Sequence, residues 1–318
     1  METRLLVLCD TNVYRAHKPE EFERVRQLER SLGIKAVVSQ WVLLELFSHL
    51  YSDPEDKSFQ ACWRGLKSMY AHAAVAIDGV EQLPIFASPR HDLERQWFAF
   101  EDTKLRDAVL RLATIARNVG RTSSVVGDLL QYREAFRSSG QHLAEREDIY
   151  VRGLEKRAAS TQSMVAGGQI THQELLKIIR TNGLRWAAGA MIHEMEARTG
   201  NQLLDRDRER AIDELLTVIP ASIYFQYHIF ESMANSGGEM DLSRQRNSVW
   251  DRELSLYITP HFRSTDGVIG HAHAIVVTNE NRIHRAASAA GQPSHAIKFD
   301  HYLHALESGD SRVLPLIQ

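Results

Sequence analysis

The chain has 318 residues, 43% hydrophobic and 25% charged, with 38 Lys+Arg against 41 Asp+Glu for a formal net charge of −3. This length offers about two domains' worth of chain, or one domain with a large insertion, and the composition excludes collagen-like and intrinsically disordered classes. The near-neutral balance excludes a basic nucleic-acid wrapper, so any nucleic-acid contact must be local.

The first residues, METRLLVLCDTNV, carry an apolar stretch too short for a secretion signal, and no apolar run reaches the ~18 residues of a membrane span. A cytoplasmic protein without membrane contact is therefore expected. Within this stretch Leu5 to Cys9 read as a buried strand that stops at Asp10, Thr11 and Asn12. Cys9 and Cys62 are the only cysteines, which suits a reducing compartment and excludes a disulfide scaffold. Phe22, Val25, Leu28 and Leu32 have helical spacing and predict a helix over 20–32, stopped by Gly33. Lys35 to Val38 read as a second strand. Ser39 stands where an N-cap belongs, before the amphipathic run QWVLLELFSHLY.

From about 90 to 236 the pattern becomes helical. Leu105, Val109, Leu112, Ala116 and Val119 form the apolar stripe of a helix packed on other helices. Gly140, Gly167-Gly168 and Gly200 divide the segment into helices, Thr171 to Glu174 form a capping box, and Pro220 breaks or kinks the last helix before Gly237-Gly238. After residue 241 the α/β pattern returns. A helix is expected over 247–258, a strand over 274–277 ending at Thr278, Asn279 and Glu280, a helix over 282–290, and a last strand over 295–299. The expected fold class is therefore α/β, a parallel sheet flanked by helices with an all-α insertion. Residues 1–89 and 241–318 are its two halves, and residues 90–240 the insertion.

Two strand ends thus carry polar clusters, and in an open parallel sheet both face one crevice. Two further acids stand in unusual places. Glu45 lies in a helix that is apolar nearly all round, and Asp251 opens the helix that continues through Leu254 and Tyr257. Four carboxylates converging without basic partners repel one another, and a hard divalent cation resolves the repulsion. Mg²⁺ or Mn²⁺ is implied, and such ions suit phosphoryl-ester chemistry.

An apolar strand ending in Asp-Thr-Asn, a Glu in the helix after the second strand, an Asp opening a later helix and a strand ending in Thr-x-acid together resemble the PIN-domain nucleases. The resemblance covers residues 1–55 and 245–300. It implies that Asp10, Glu45, Asp251 and Glu280 are catalytic and bind one or two divalent ions, with Thr11, Asn12, Thr278 and Asn279 orienting them. It further implies metal-dependent hydrolysis of RNA to a 5′-phosphate and a 3′-hydroxyl, a place among toxins or defence effectors, and a protein inhibitor or a second copy as partner. The chain departs from compact PIN toxins in the long stretch between its second and third acids, and in Glu where Asp is commoner at the fourth.

Other signals point elsewhere. The pairs Arg117/Arg121 and Arg133/Arg137 each project from one helix face and can hold RNA phosphates, though surface ion pairs explain them equally. Arg137 and His142 fit an Arg-x4-His pattern that resembles the metal-independent HEPN ribonucleases, so a HEPN-type enzyme is one alternative, and a catalytically degenerate PIN-like scaffold the other. His271-Ala272-His273 and the pair His301/His304 read as loop or core histidines. No zincin helix, phosphate loop or dinucleotide fingerprint occurs.

Overall fold

An uninterrupted apolar strand is stable only with both faces covered, and the covering elements decide where the polar ends emerge. The computed structural model of the chain describes residues 4–77, 79–120, 129, 131–238, 240–241, 245–259 and 272–309. Arg121 and His271 lie outside them. Strand β1 (Arg4–Cys9) is central. It pairs in parallel with β2 (Lys35–Ala36) on one side and along its whole length with β7 (Ala272–Val277) on the other. Strand β8 (Ala296–Ile297) pairs in parallel with β7, giving the order β2-β1-β7-β8. The chain leaves β1 toward one edge and β7 toward the other, so the point between β1 and β7 is a topological switch point.

The run expected as one strand over 35–38 serves two sheets. The Val37 amide still donates to Val7 (2.9 Å), whereas that of Val38 donates to Pro84 (2.9 Å). Val38–Ser39 is thus a separate β3, parallel to β6 (Ile85–Phe86), and a hairpin of β4 (Val75–Ile77) and β5 (Val80–Gln82) precedes it. These strands of two or three residues are too short to show a periodicity. The last strand is shorter than expected because Phe299 already opens a helix.

Helices α1 (Thr11–Ala16), α2 (Pro19–Ser31), α3 (Gln40–Ser48) and α4 (Lys57–Ala73) follow, with Ser39 capping α3 through the Trp41 amide (3.2 Å). Both cysteines are free and buried. A buried polar chain holds α1 in place. Tyr14 and Glu29 contact opposite nitrogens of His72 (2.9 Å each), and Tyr302 donates to Glu29 (2.7 Å). Burial alone would push the His72 imidazole down, but Glu29 beside it holds it up at about 10.

The helical segment comprises α5 (Pro89–Phe98), α6 (Thr103–Gly120), α7 (Arg133–Ala166), α8 (His172–Thr199), α9 (Asp205–Val218) and α10 (Pro220–Asn235). The stripe from Leu105 to Val119 is buried, the capping box at Thr171 forms, and Pro220 starts a new helix. Helix α7 packs against α3, and α10 against α11 (Ser248–Ser255) and α12 (Asn281–Ala289). Buried side chains of these helices and of the sheet form one continuous apolar cluster. A final helix, α13 (Phe299–Ser308), covers α2. Among the described residues no helix is long and apolar enough to cross a membrane.

Gly140 corrects the expected helix boundaries, since it lies inside the 34-residue α7. A glycine costs a helix interior only about 1 kcal/mol, and packing against α3 overrides that. A Cβ at Gly140 would meet only the Ser48 Cβ, at 3.8 Å. Gly140→Ala is therefore expected to stabilise the protein by ~0.5–1 kcal/mol in chemical denaturation. Unchanged or lower stability would show that this turn of α7 is not helical in solution.

Candidate functional site

The site is set by where β1 and β7 end. Cys9 pairs with Val277, and the ladder continues one step as the Asp10 amide donates to the Val277 carbonyl (2.9 Å). Asp10 and Thr278 therefore emerge side by side at the switch point. The buried Thr278 hydroxyl donates to Asp10 Oδ2 (2.9 Å) and accepts from the Glu280 amide (3.1 Å), locking both turns together. Asp10 also caps α1 through the Asn12 amide (3.4 Å).

Beyond these ends lies a cavity of about 720 Å³ that Asp10, Glu45, Asp251 and Glu280 all line. The first turn of α1 holds two of them: Thr11 donates to Glu45 Oε2 (2.8 Å), and Asn12 Nδ2 to Glu280 Oε1 (3.1 Å). Asn279 differs from expectation, being exposed and orienting none of the acids among the described residues. The turn puts Thr278 inward, so the next residue points to solvent.

The electrostatics are those of an under-compensated acidic cluster. Burial, with Glu280 nearby, pushes Asp10 up to about 6 against the hydrogen bonds it accepts. Burial and Asp10 push Glu45 up to about 7. Burial, then Glu280 and Asp10, push Asp251 up to about 8. Among the described residues two cations enter the cavity. Arg15 approaches Glu45 at 3.9 Å, and Arg282 donates to Ser248 (2.7 Å) and favours the charged form of Asp251.

Hard oxygen donors with excess negative charge fit Mg²⁺ or Mn²⁺ by chemistry. Among the described residues, however, no three Asp, Glu, His or Cys side chains are grouped to hold an ion as they stand. Thr11 and Asn12 draw Glu45 and Glu280 to their own hydrogen bonds.

Several cavity residues escaped the sequence. Arg15 and Arg282 lie six and five residues past the strand ends at Cys9 and Val277, and no local pattern marks them out. Glu147, on the face of α7 packed toward α3, is equally unmarked. It accepts from the Trp250 indole (2.9 Å), whose ring lies 5.7 Å from that of Trp41 in the cavity wall. The predicted arginines are elsewhere. Arg117 is on α6 and does not line the cavity, while Arg133 and Arg137 flank Tyr51 beside it. Arg137 and His142 stand five residues apart on one continuous helix, about 140° around its axis, and do not form a joint site.

The fold and site define a small parallel sheet flanked by helices, with an acidic cavity at its switch point. No family model, curated protein or solved structure matches the chain.

Proposed function

We propose that the protein is a PIN-like, metal-dependent endoribonuclease in which Asp10, Glu45, Asp251 and Glu280 take Mg²⁺ or Mn²⁺. One observation carries this: acids chosen from four separated parts of the sequence line one cavity at the switch point. When bound, the ion supplies charge neutralisation at the phosphate and Lewis acidity toward water. The chain's own groups do the orienting. Thr278 and the Asn12 amide fix the two oxygens of Asp10, Thr11 fixes one oxygen of Glu45 and the Asn12 side chain one oxygen of Glu280, and each bonded carboxylate oxygen keeps a lone pair for ligation. Arg15 and Arg282 present positive charge to a bridging phosphate. Water adds to phosphorus as the bond to the 3′ oxygen breaks, leaving a 5′-phosphate and a 3′-hydroxyl.

A catalytically inert PIN-like scaffold is the second reading, and the spread of the carboxylates favours it. Cleavage of mixed RNA by wild type and Asp10→Asn, each with Mn²⁺ or EDTA, separates the two. The nuclease cuts only as wild type with Mn²⁺, and that activity disappears on metal removal. Equal cutting by both proteins, or full activity in EDTA, overturns the proposal, and no cutting in any arm supports the scaffold.

A further inference from the structure

The 3₁₀ turn His49–Tyr51, which follows α3, divides two cavities. Ser48 and His49 face the acids, whereas Leu50 and Tyr51 line a second hollow of about 250 Å³ with Phe59, Leu129, Arg133 and one acid, Asp53. Helix α7 spans both. Arg133 lies at the second hollow, and Gly140, Leu143 and Glu147 wall the first. At 1.5 Å per residue, Arg133 is about 10 Å and Arg137 about 4.5 Å along the axis from Gly140.

Two guanidinium groups stand close to the Tyr51 ring. The guanidinium of Arg133 lies 5.2 Å from the ring centre and that of Arg137 lies 5.0 Å away, and Arg137 also donates to the Tyr51 hydroxyl (2.9 Å). Among the described residues, Arg137 pairs with one acid, the exposed Glu134 at 3.5 Å. This is an aromatic face with two guanidinium forks over a mostly apolar hollow. Single-stranded nucleic acid is bound by this combination, with stacking for a base and cations for its phosphates.

We propose that the hollow at Tyr51 is a base-binding subsite for an unpaired nucleotide, with Tyr51 stacking on the base and Arg133 and Arg137 contacting the flanking phosphates. The inference deepens the proposed nuclease function and rests on it for the identity of the strand. A stacked strand rises ~3.4 Å per nucleotide and an extended one more. The base at Tyr51 therefore lies one to three nucleotides from the acidic cavity, by about that spacing. A paired base cannot enter without being flipped out, so the subsite selects single strands.

The test is fluorescence anisotropy of the full-length protein in EDTA, where no cleavage intervenes, with labelled oligouridine and a blunt RNA duplex of equal length. Tyr51→Ala is expected to weaken oligouridine binding ~5- to 100-fold and leave duplex binding unchanged, while Tyr51→Trp stays within ~3-fold of wild type. Replacing Arg133 and Arg137 together by Gln is expected to flatten the salt dependence by ~1 to 2 in slope. Wild-type-like binding by Tyr51→Ala, or equal loss on both probes, overturns the subsite, provided melting curves show the variant folded. Loss with Tyr51→Trp as large as with Tyr51→Ala also overturns stacking. A single-strand effect with no cleavage in any metal condition keeps the subsite and sinks only the nuclease.

Discussion

Asp251→Asn is expected to abolish metal-dependent cleavage while raising the melting temperature of the metal-free protein. The carboxyl of Asp251 is pushed up to about 8 by burial and by Glu280 and Asp10, so its native pKa exceeds its ordinary value. For an acid shifted in this direction the native state binds more protons than the unfolded chain between the two pKa values. Stability therefore falls as pH rises from about 4 to 8 and stays low above that. Asp10 and Glu45, at about 6 and 7, act in the same sense. Asn keeps the shape and removes the charge. At pH 8 in EDTA the variant is expected to gain ~2 kcal/mol or more, a rise of about 4 °C, and near pH 4 the gain should vanish. Cleavage is expected to fall by more than ~100-fold, because even groups behind metal ligands contribute 10- to 100-fold. Added Mn²⁺ should stabilise wild type by mass action and the variant far less. Thermal scans across pH with and without Mn²⁺ check each part, and a variant less stable than wild type at pH 8 would refute the repulsion.

The opposite outcome is expected one residue later. Arg252 makes a two-pronged pair with Glu194 (2.8 and 2.7 Å), donates to Gln226 (3.1 Å) and lies over the ring of Tyr150. Arg90 reaches Glu94 (3.0 Å), Glu194 (3.3 Å) and Glu253 (3.2 Å), and Arg146 stands 3.5 Å from Glu253. Arg90, Arg252, Glu94 and Glu253 are all fully buried. Burial alone would push Glu253 up, but Arg146, Arg90 and Arg252 hold it down at about 2.

Removing one member of such a network leaves uncompensated buried charge and costs ~3–5 kcal/mol. Arg252→Ala is therefore expected to unfold much of the protein at 37 °C. Glu253→Gln should cost less at neutral pH and flatten the acid limb. A carboxyl with a lowered native pKa contributes stability that is complete above 4.5 and is lost as pH falls toward 2. Urea denaturation across pH measures both. Because α11 carries Asp251 on its cavity side and Arg252 and Glu253 inward, this network also sets where Asp251 points.

How much of this was legible can be judged residue by residue. Asp10, Glu45 and Glu280, which line the cavity, stand out in the sequence because buried parallel strands and an almost wholly apolar helix leave polar residues few places to be. Asp251 stands out by its position at a helix start. The helices of the middle segment followed from their apolar stripe and caps, since those signals act over one turn. Gly140 was misread because local propensity is weak against packing on α3, and the splitting of residues 35–39 between two sheets depends on Pro84 and Val7, far away in sequence.

The chain by itself determined that strand ends would deliver acids to a common edge, because the patterns of buried strands and amphipathic helices are local and the crevice position follows from parallel order. Tertiary structure alone decided which cations accompany those acids, that α7 walls the cavity with Glu147 and opens it at Gly140, and that Tyr51 sits beside two arginines. It also decided that Arg252 meets Glu194, 58 residues away. Such partners share no spacing rule: they meet only when helices pack, and charge complementarity then selects among many acids and arginines that look alike in sequence.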